Sequence, residues 1–393
     1  MKKILVSLII LLTFSSCMPL VTRRNLGFHK EPTIRILIIK NPTRITISSD
    51  VGTKIVIGKK EGVFAGELRV TFNPLKIWIA KNKIIKEKGF PVDLFPLERG
   101  YIYLNSSPYR GFIKIVKYKG DILIVNYLPI EEYLKGVVPF EMGRLPERMI
   151  EALKAQAVAS RSYALRSMKK NMPYDLGNTI AHQVYGGMRK ETDVTNRAVE
   201  ETKGVVPTYR GRPIDARYSS TCGGRTENNE EVWNSKPVPY LRSVYDGRFG
   251  KPFCRFSPYF NWKVVFGRKE FFDTVKMRIK EIFGKEINRI NYVKISRRTR
   301  SGRVRTVEVG TDRGKFKVER DRIRSLFPKN GISLKSLLFS MEVRGDKIVV
   351  SGHGYGHGVG MCQYGAMEMA REGYTYDKII RHYYRGVSLK RLW

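Results

Sequence analysis

Two stretches of this 393-residue sequence carry side chains that could do chemistry. The first, YLKGVVPFEMGRLPERMIEALKAQAVASRSYAL (residues 133–165), places Glu141 on a short turn between Phe140 and Met142, just ahead of a helix. A carboxyl among apolar side chains loses hydration, which favours its protonated form. Such a group is a candidate general acid. A helix N-terminus works the other way and stabilises the anion. Glu141 therefore serves as an acid only if burial by Phe140 and Met142 wins. Taken alone, a Glu at a helix start is usually a solvated partner of the dipole, and spacing does not decide between the two.

The second stretch, SGHGYGHGVGMCQYGAMEMAREGY (residues 351–374), holds His353, His357, Gln363 and Tyr364. His353 and His357 have the spacing of a helical metal pair. Gly354, Tyr355 and Gly356 between them oppose a helix, so that geometry is not available and no metal is expected there. The four cysteines are Cys17, Cys222, Cys254 and Cys362, with no CxxC spacing. A cysteine-only zinc site is therefore not expected. Cys222 and Cys254 flank one loop-rich stretch and are the pair favoured for a disulfide, and Cys362 reads as a small buried apolar residue.

The elements that must position these groups read as an α+β chain. Short β-branched runs, TIRILIIK, RITISS, TKIVIG, ELRVTF and LKIWIA, alternate with Gly, Asn, Pro and Asp from Thr33 on, and predict a β-rich N-terminal domain over 33–100, a small barrel or sandwich. YIYLN, GFIKIVKYKG and DILIVNYL continue the strands, the last two as a hairpin turning at Gly120-Asp121. A helix follows from Pro146 to Lys169-Lys170, acidic at its start and basic at its end, with Met149, Leu153, Ala157, Ala164 and Met168 as its apolar stripe. QVYGG, GVVPTYRGRPIDARYSSTCGG, NEEVW and PYLRSVYDG read as strands and loops. Residues 255–350 read as an inserted α+β subdomain with a helix at EFFDTVKMRIKEIFG, and the second stretch closes the chain over 351–393 with two helices.

Together these motifs resemble the sporulation stage II protein D and LytB family of peptidoglycan lytic enzymes, over about residues 100–390. The resemblance implies a core in two parts, 101–254 and 351–393. It implies that Glu141, the glutamate of V-V-x-x-E-M, is the catalytic acid of a lytic transglycosylase that needs no cofactor. Such an enzyme cuts between N-acetylmuramic acid and N-acetylglucosamine without water. One carboxyl protonates the glycosidic oxygen, then takes the proton of the muramyl 6-hydroxyl as a 1,6-anhydro ring closes. No second carboxylate is required, unlike in ordinary glycosidases, and Glu132, Glu147 and Glu151 lack the apolar setting of Glu141. In ALKAQAVASRSYAL, Lys154, Gln156 and Arg161 are positioned to hold acetamido and carboxylate groups, Arg161 foremost because its fork matches a lactyl carboxylate. Its plain alternative is a salt bridge in the core. The resemblance sets His353, His357, Gln363 and Tyr364 against the glycan. Tyr218, Cys222, Gly223, Gly224 and Thr226 match the family's Y-x-S-x-C-G-G-x-T element, and Cys222 pairs with Cys254 in this reading. Family members that bind zinc do so through Cys and His before Q-V-Y-x-G; the loop here, PYDLGNTIAHQVYGG, offers only His182, so no metal is implied. The LytB branch also implies an alternative, a non-catalytic wall-binding enhancer of an amidase.

Charge and the N-terminus set the setting. The formal charge is +37, spread along the chain, which favours polyanionic partners. Lys2 and Lys3, the apolar run Ile4–Leu12 and Phe14-Ser15-Ser16-Cys17 form a signal of lipoprotein type over 1–17, followed by a tether over 18–32. Lipidation at Cys17 would tie the protein to a membrane; an ordinary signal peptide and an uncleaved anchor are the alternatives. Each exports the chain to the cell envelope, which excludes nucleic acid as the partner and leaves peptidoglycan strands. Strands stripped of stem peptides expose one lactyl carboxylate per disaccharide and suit this charge best.

Overall fold

The computed structural model describes residues 30–72, 75–79, 83–86 and 90–393. Cys17 and the signal segment lie outside the described residues, as does most of the tether. None of the described helices is long and apolar enough to cross a membrane.

The N-terminal strands form two sheets. One has seven strands, in the order Leu176–Gly177, Thr33–Lys40, Asp121–Pro129, Phe112–Tyr118, Val92–Pro96, Thr53–Ile57 and Lys60–Phe64. The other has six, in the order Ser107–Tyr109, Ile102–Leu104, Arg44–Ser49, Leu68–Phe72, Leu75–Ile79 and Lys83–Lys86. Alternation decides which side chains go in: Ile34 and Ile36, Ile45 and Ile47, Leu68 and Val70, Ile113 and Ile115 are all buried in one cluster. The expected hairpin is present, but its turn is Lys119-Gly120, with both residues at positive φ (52° and 87°) and Tyr118 paired with Asp121. That is the twist-matched two-residue turn.

Packing does not divide at residue 100. Thr33–Lys40 lies beside Asp121–Pro129, and the cluster that holds Ile34 also holds Leu153, Met361 and Ile380. The sheets lead into helices α1 (Ile130–Lys135) and α2 (Val138–Met142), a 3-10 turn at Glu147–Met149, and α3 (Ile150–Ser167). Pro146 caps the 3-10 turn rather than opening the long helix. α3 is enclosed nearly all round, from Ala152 to Ala164 with Lys154 as the exception. Its alanines let neighbours approach closely, and α4 (Asp193–Glu201) and the strand Val205–Tyr209 pack on it. Of the expected apolar stripe, Leu153, Ala157 and Ala164 are buried, whereas Met168 is exposed past the helix end.

Two of the segments read as alternating strands and loops contain no strand. QVYGG is irregular, and NEEV is a short helix, α5 (Asn229–Val232). A second hydrophobic cluster, from Trp262 to Val350, belongs to the inserted unit: α6 (Arg268–Phe283) with two three-stranded sheets. The chain returns through Lys347–His353 into a parallel pairing of Met361–Cys362 with Tyr218–Ser219, then α7 (Gln363–Arg371) and α8 (Tyr376–Tyr383). α7 and α8 both rest on α3.

Candidate active site

Glu141 sits near the end of the single turn α2, not ahead of the long helix. Its surroundings come from the QVYGG loop. The Val184 amide donates to Glu141 Oε1 at 2.9 Å. Gly186 makes room for Phe140: a Cβ at Gly186 would lie 2.1 Å from Cζ of that ring. Gln183 accepts from the Tyr133 hydroxyl at 3.1 Å and donates to the Tyr218 hydroxyl at 3.1 Å. The irregular backbone of this loop is what lets successive residues face different partners.

The second stretch completes the site. Gln363, at the start of α7, donates to Glu141 Oε2 at 3.3 Å and to the Gln156 carbonyl at 3.4 Å. Gln156 in turn donates to Ser160 at 2.9 Å. This chain fixes the direction of both carboxamides, so that Gln363 presents its NH2 to the carboxyl. Burial pushes the Glu141 pKa above the usual carboxylate range, against hydrogen bonds from Val184, Gln363 and Tyr218 that favour the anion. Desolvation wins.

Glu141 opens onto a groove of about 570 Å3, lined by Tyr163, His182, Arg217, Tyr218, Trp233 and His357 among others. His357 takes an N–H from Val359 on Nδ1 at 3.0 Å, which leaves the ring hydrogen on Nε2. Its ring lies 5.0 Å from that of Trp233. Burial, with Arg217 nearby, pushes its pKa down to about 3, so it is neutral. The Arg217 guanidinium lies 5.1 Å from the Tyr163 ring and 5.3 Å from the Trp233 ring, with its side chain 37% exposed. Asp321 and Arg324 of the inserted unit reach the same groove, paired to each other at 3.4 Å.

The structure thus brings Glu141, Tyr218, His357 and Gln363 together, with Gln156 directly behind them. Other expected contacts do not reach the groove. Arg161 is wholly buried: its Nε and Nη2 bind both oxygens of Glu131 at 3.0 and 2.6 Å, and Nη1 donates to the Val205 carbonyl at 3.0 Å. It is the core salt bridge, because α3 is enclosed on every side there. Lys154 pairs with Glu151 and Glu201 on the surface, both at 2.7 Å. His353 is exposed at the end of its strand, its ring 5.8 Å from Phe260 in a separate depression beside Trp262. Tyr364 follows Gln363 on α7 and points away, half-buried against the main core. His182 does line the groove.

The expected Cys222–Cys254 bridge is absent as well. Cys222, Cys254 and Cys362 are all free. The Cys222 and Cys254 sulfurs stand 3.7 Å apart, well beyond a bond of about 2.05 Å. Cys362 and Asp246 crowd in beside them.

Sequence reasoning missed Arg217, Trp233 and Arg324 as groove residues. Arg217 adjoins Tyr218 in the matched element, which was an available signal. Arg324 had none, since only the packing of the inserted unit brings it near.

Residues 118–209 match the family model SpoIID, stage II sporulation protein, and residues 251–360 match a domain of unknown function, DUF8618. Stage II sporulation protein D of Bacillus subtilis is 33% identical over 327 residues, 78% of this chain and 86% of its own. An uncharacterized protein of Brachyspira hyodysenteriae is 32% identical over 299 residues, 75% of this chain and 76% of its own. The amidase enhancer of Bacillus subtilis is 31% identical over 300 residues, 65% of this chain but 40% of its own length. With this identity over most of its length, the chain belongs to the SpoIID family.

Proposed function

We propose that this protein is a peptidoglycan lytic transglycosylase with Glu141 as its acid and base. The observation that carries the reading is a carboxyl with a raised pKa at the wall of an open, aromatic-lined groove. The carboxyl, held at Oε1 by the Val184 amide and at Oε2 by the Gln363 NH2, supplies the proton. That proton passes to the glycosidic oxygen as the bond from the muramyl anomeric carbon breaks. The carboxylate left behind takes the proton of the muramyl 6-hydroxyl, whose oxygen bonds to the anomeric carbon. The Gln363 NH2 steadies the transient anion. No water enters, so no second carboxylate has to activate one. The groove's other carboxylate, Asp321, is tied to Arg324.

The substrate reading follows from the groove walls. Trp233 and Tyr163 offer faces to sugar rings. Arg217 takes the role expected of Arg161, reading a lactyl carboxylate from between those rings. Denuded strands present that carboxylate free. The chain's +37 charge adds a long-range attraction that weakens with salt. We place the protein in the cell envelope, exported and held to a membrane through Cys17.

Glu141→Gln keeps shape and removes the transferable proton. Cleavage of purified denuded strands should fall by at least about a hundredfold, with loss of 1,6-anhydromuramyl ends by mass analysis. Wild-type turnover by this variant would end the assignment. The relative named amidase enhancer favours a second reading, in which the groove binds strands only and stimulates an amidase. In that case wild-type protein yields no anhydro ends, and Glu141→Gln still stimulates.

A further inference from the structure

Directly behind the parallel strand pair, four acidic side chains meet in a sealed space. The sulfurs of Cys222, Cys254 and Cys362 and a carboxylate oxygen of Asp246 all lie within 4.8 Å of one another, and all four residues are buried. Among the described residues this is the one such group of potential metal ligands. We propose that it is a structural zinc site, with three thiolates and one carboxylate in a tetrahedron.

Four features argue for it. Zinc–sulfur bonds of about 2.3 Å at tetrahedral angles put two sulfurs about 3.8 Å apart, and Cys222 and Cys254 are separated by 3.7 Å. That spacing is too long for a disulfide and right for two ligands of one ion. The Asp246 carboxylate is already oriented: Tyr383 donates to Oδ1 at 2.5 Å, which turns Oδ2 toward the sulfurs, 2.9 Å from Cys222. Backbone amides of Cys222 and Gly365 point at the Cys362 sulfur, at 3.2 and 3.4 Å, the usual support of a thiolate. α7 can come this close because residue 365 is glycine; a Cβ there would lie 2.2 Å from the Tyr383 hydroxyl and 2.5 Å from Asp246. Finally, the buried guanidinium of Arg303 donates to the Cys222 carbonyl at 2.6 Å, a positive charge beside a site that would be net negative.

A divalent ion would hold the four groups together in place of their protons, which it releases to solvent. A Cys222–Cys254 disulfide would leave the Cys362 sulfur and Asp246 Oδ2 turned toward a bond that neither can join. The absence of CxxC spacing is no obstacle, since the ligands come from four separate segments. The position suggests the role. Cys362 precedes Gln363 in sequence and pairs with Ser219, so the ion would pin the strand pair that carries Tyr218 and leads into Gln363. With four protein ligands and no open position, it takes no part in the chemistry.

The test is metal content of the full chain purified without chelator, with thiol titration in denaturant. About one zinc per chain is expected, falling to background in Cys254→Ser. Because that variant could fail to fold, the wild-type protein is also stripped and reloaded with cobalt(II). A tetrahedral thiolate site then gives strong near-ultraviolet charge-transfer and visible bands. Folded wild-type chain that holds no zinc and gives no cobalt bands would overturn the proposal, as would a titration finding Cys222 and Cys254 oxidised to a disulfide.

Discussion

Arg161, on α3, and Glu141, on the turn packed beside it, are both ionisable and both largely buried, yet they are opposite kinds of site. The Arg161–Glu131 pair is saturated. Beyond the two bonds between them, Glu131 accepts from the Gly204 amide at 2.9 Å and the Trp393 indole at 3.1 Å. Both carboxylate oxygens and all three guanidinium nitrogens are engaged inside the fold. Glu141 has fewer partners than its charge needs, and its pKa has moved accordingly. A buried charge with full compensation is architecture, and one left short beside an opening is available for chemistry.

The largest effect that separates the two should come from Arg161. Arg161→Ala leaves Glu131 buried without its counter-charge, a loss of about 3–5 kcal/mol. Thermal or denaturant unfolding should show it as a large drop in stability, while the surviving folded protein cuts strands at its usual rate. A variant of normal stability with selective loss of substrate affinity would return Arg161 to the substrate site. Glu141→Gln should do the reverse and remove activity without loss of stability.

A smaller effect is expected at Arg217, the arginine that does face the groove. Arg217→Lys keeps the charge and removes the planar fork between Tyr163 and Trp233. Losing one charge-assisted contact of about 1.4 kcal/mol should raise KM on denuded strands about tenfold, with kcat little changed. Strands whose lactyl groups are capped by peptide should show no such change. An equal rise on both substrates would mean that Arg217 holds the groove's shape rather than reading a carboxylate.

The contrast between the arginines also marks where sequence stops being informative. Alternation in TIRILIIK or FIKIVKY is local, and it predicted strands that are present. Glu141, His357, Gln363 and Tyr218 lie in glycine-marked motifs, and those motifs do meet. Arg161 sits in as strong a motif, but its direction depends on α4, Glu131 and the strand Val205–Tyr209 closing over α3, which no local pattern carries. Arg324 and Asp321 reach the groove only through the docking of the inserted unit. That docking rests on long-range contacts such as Arg305 to Glu231 at 2.9 Å and Ser301 to Glu227 at 2.6 Å. The cysteines failed for the same reason: spacing along the chain says little about four segments that converge in space.

The smallest predicted effect tests the comparison most directly, because it asks which way Glu141 loads the fold. Burial raises its pKa in the folded chain, and in the unfolded chain it returns to the ordinary value of about 4.3. Between the two values the folded chain holds a proton that the unfolded chain has lost. Stability therefore falls as pH rises through that window and stays lowered above it. Glutamine carries no charge to desolvate and pays no such cost. Glu141→Gln should melt higher than wild type at pH 8, and the gap should narrow as pH falls and close by about pH 3, where Glu141 is protonated in both states. Melting curves of the two proteins across that range are sufficient. A wild type more stable than the variant at pH 8 would mean that Val184, Gln363 and Tyr218 outweigh burial. Glu141 would then be a compensated anion like Glu131, and its claim to act as an acid would fall with it.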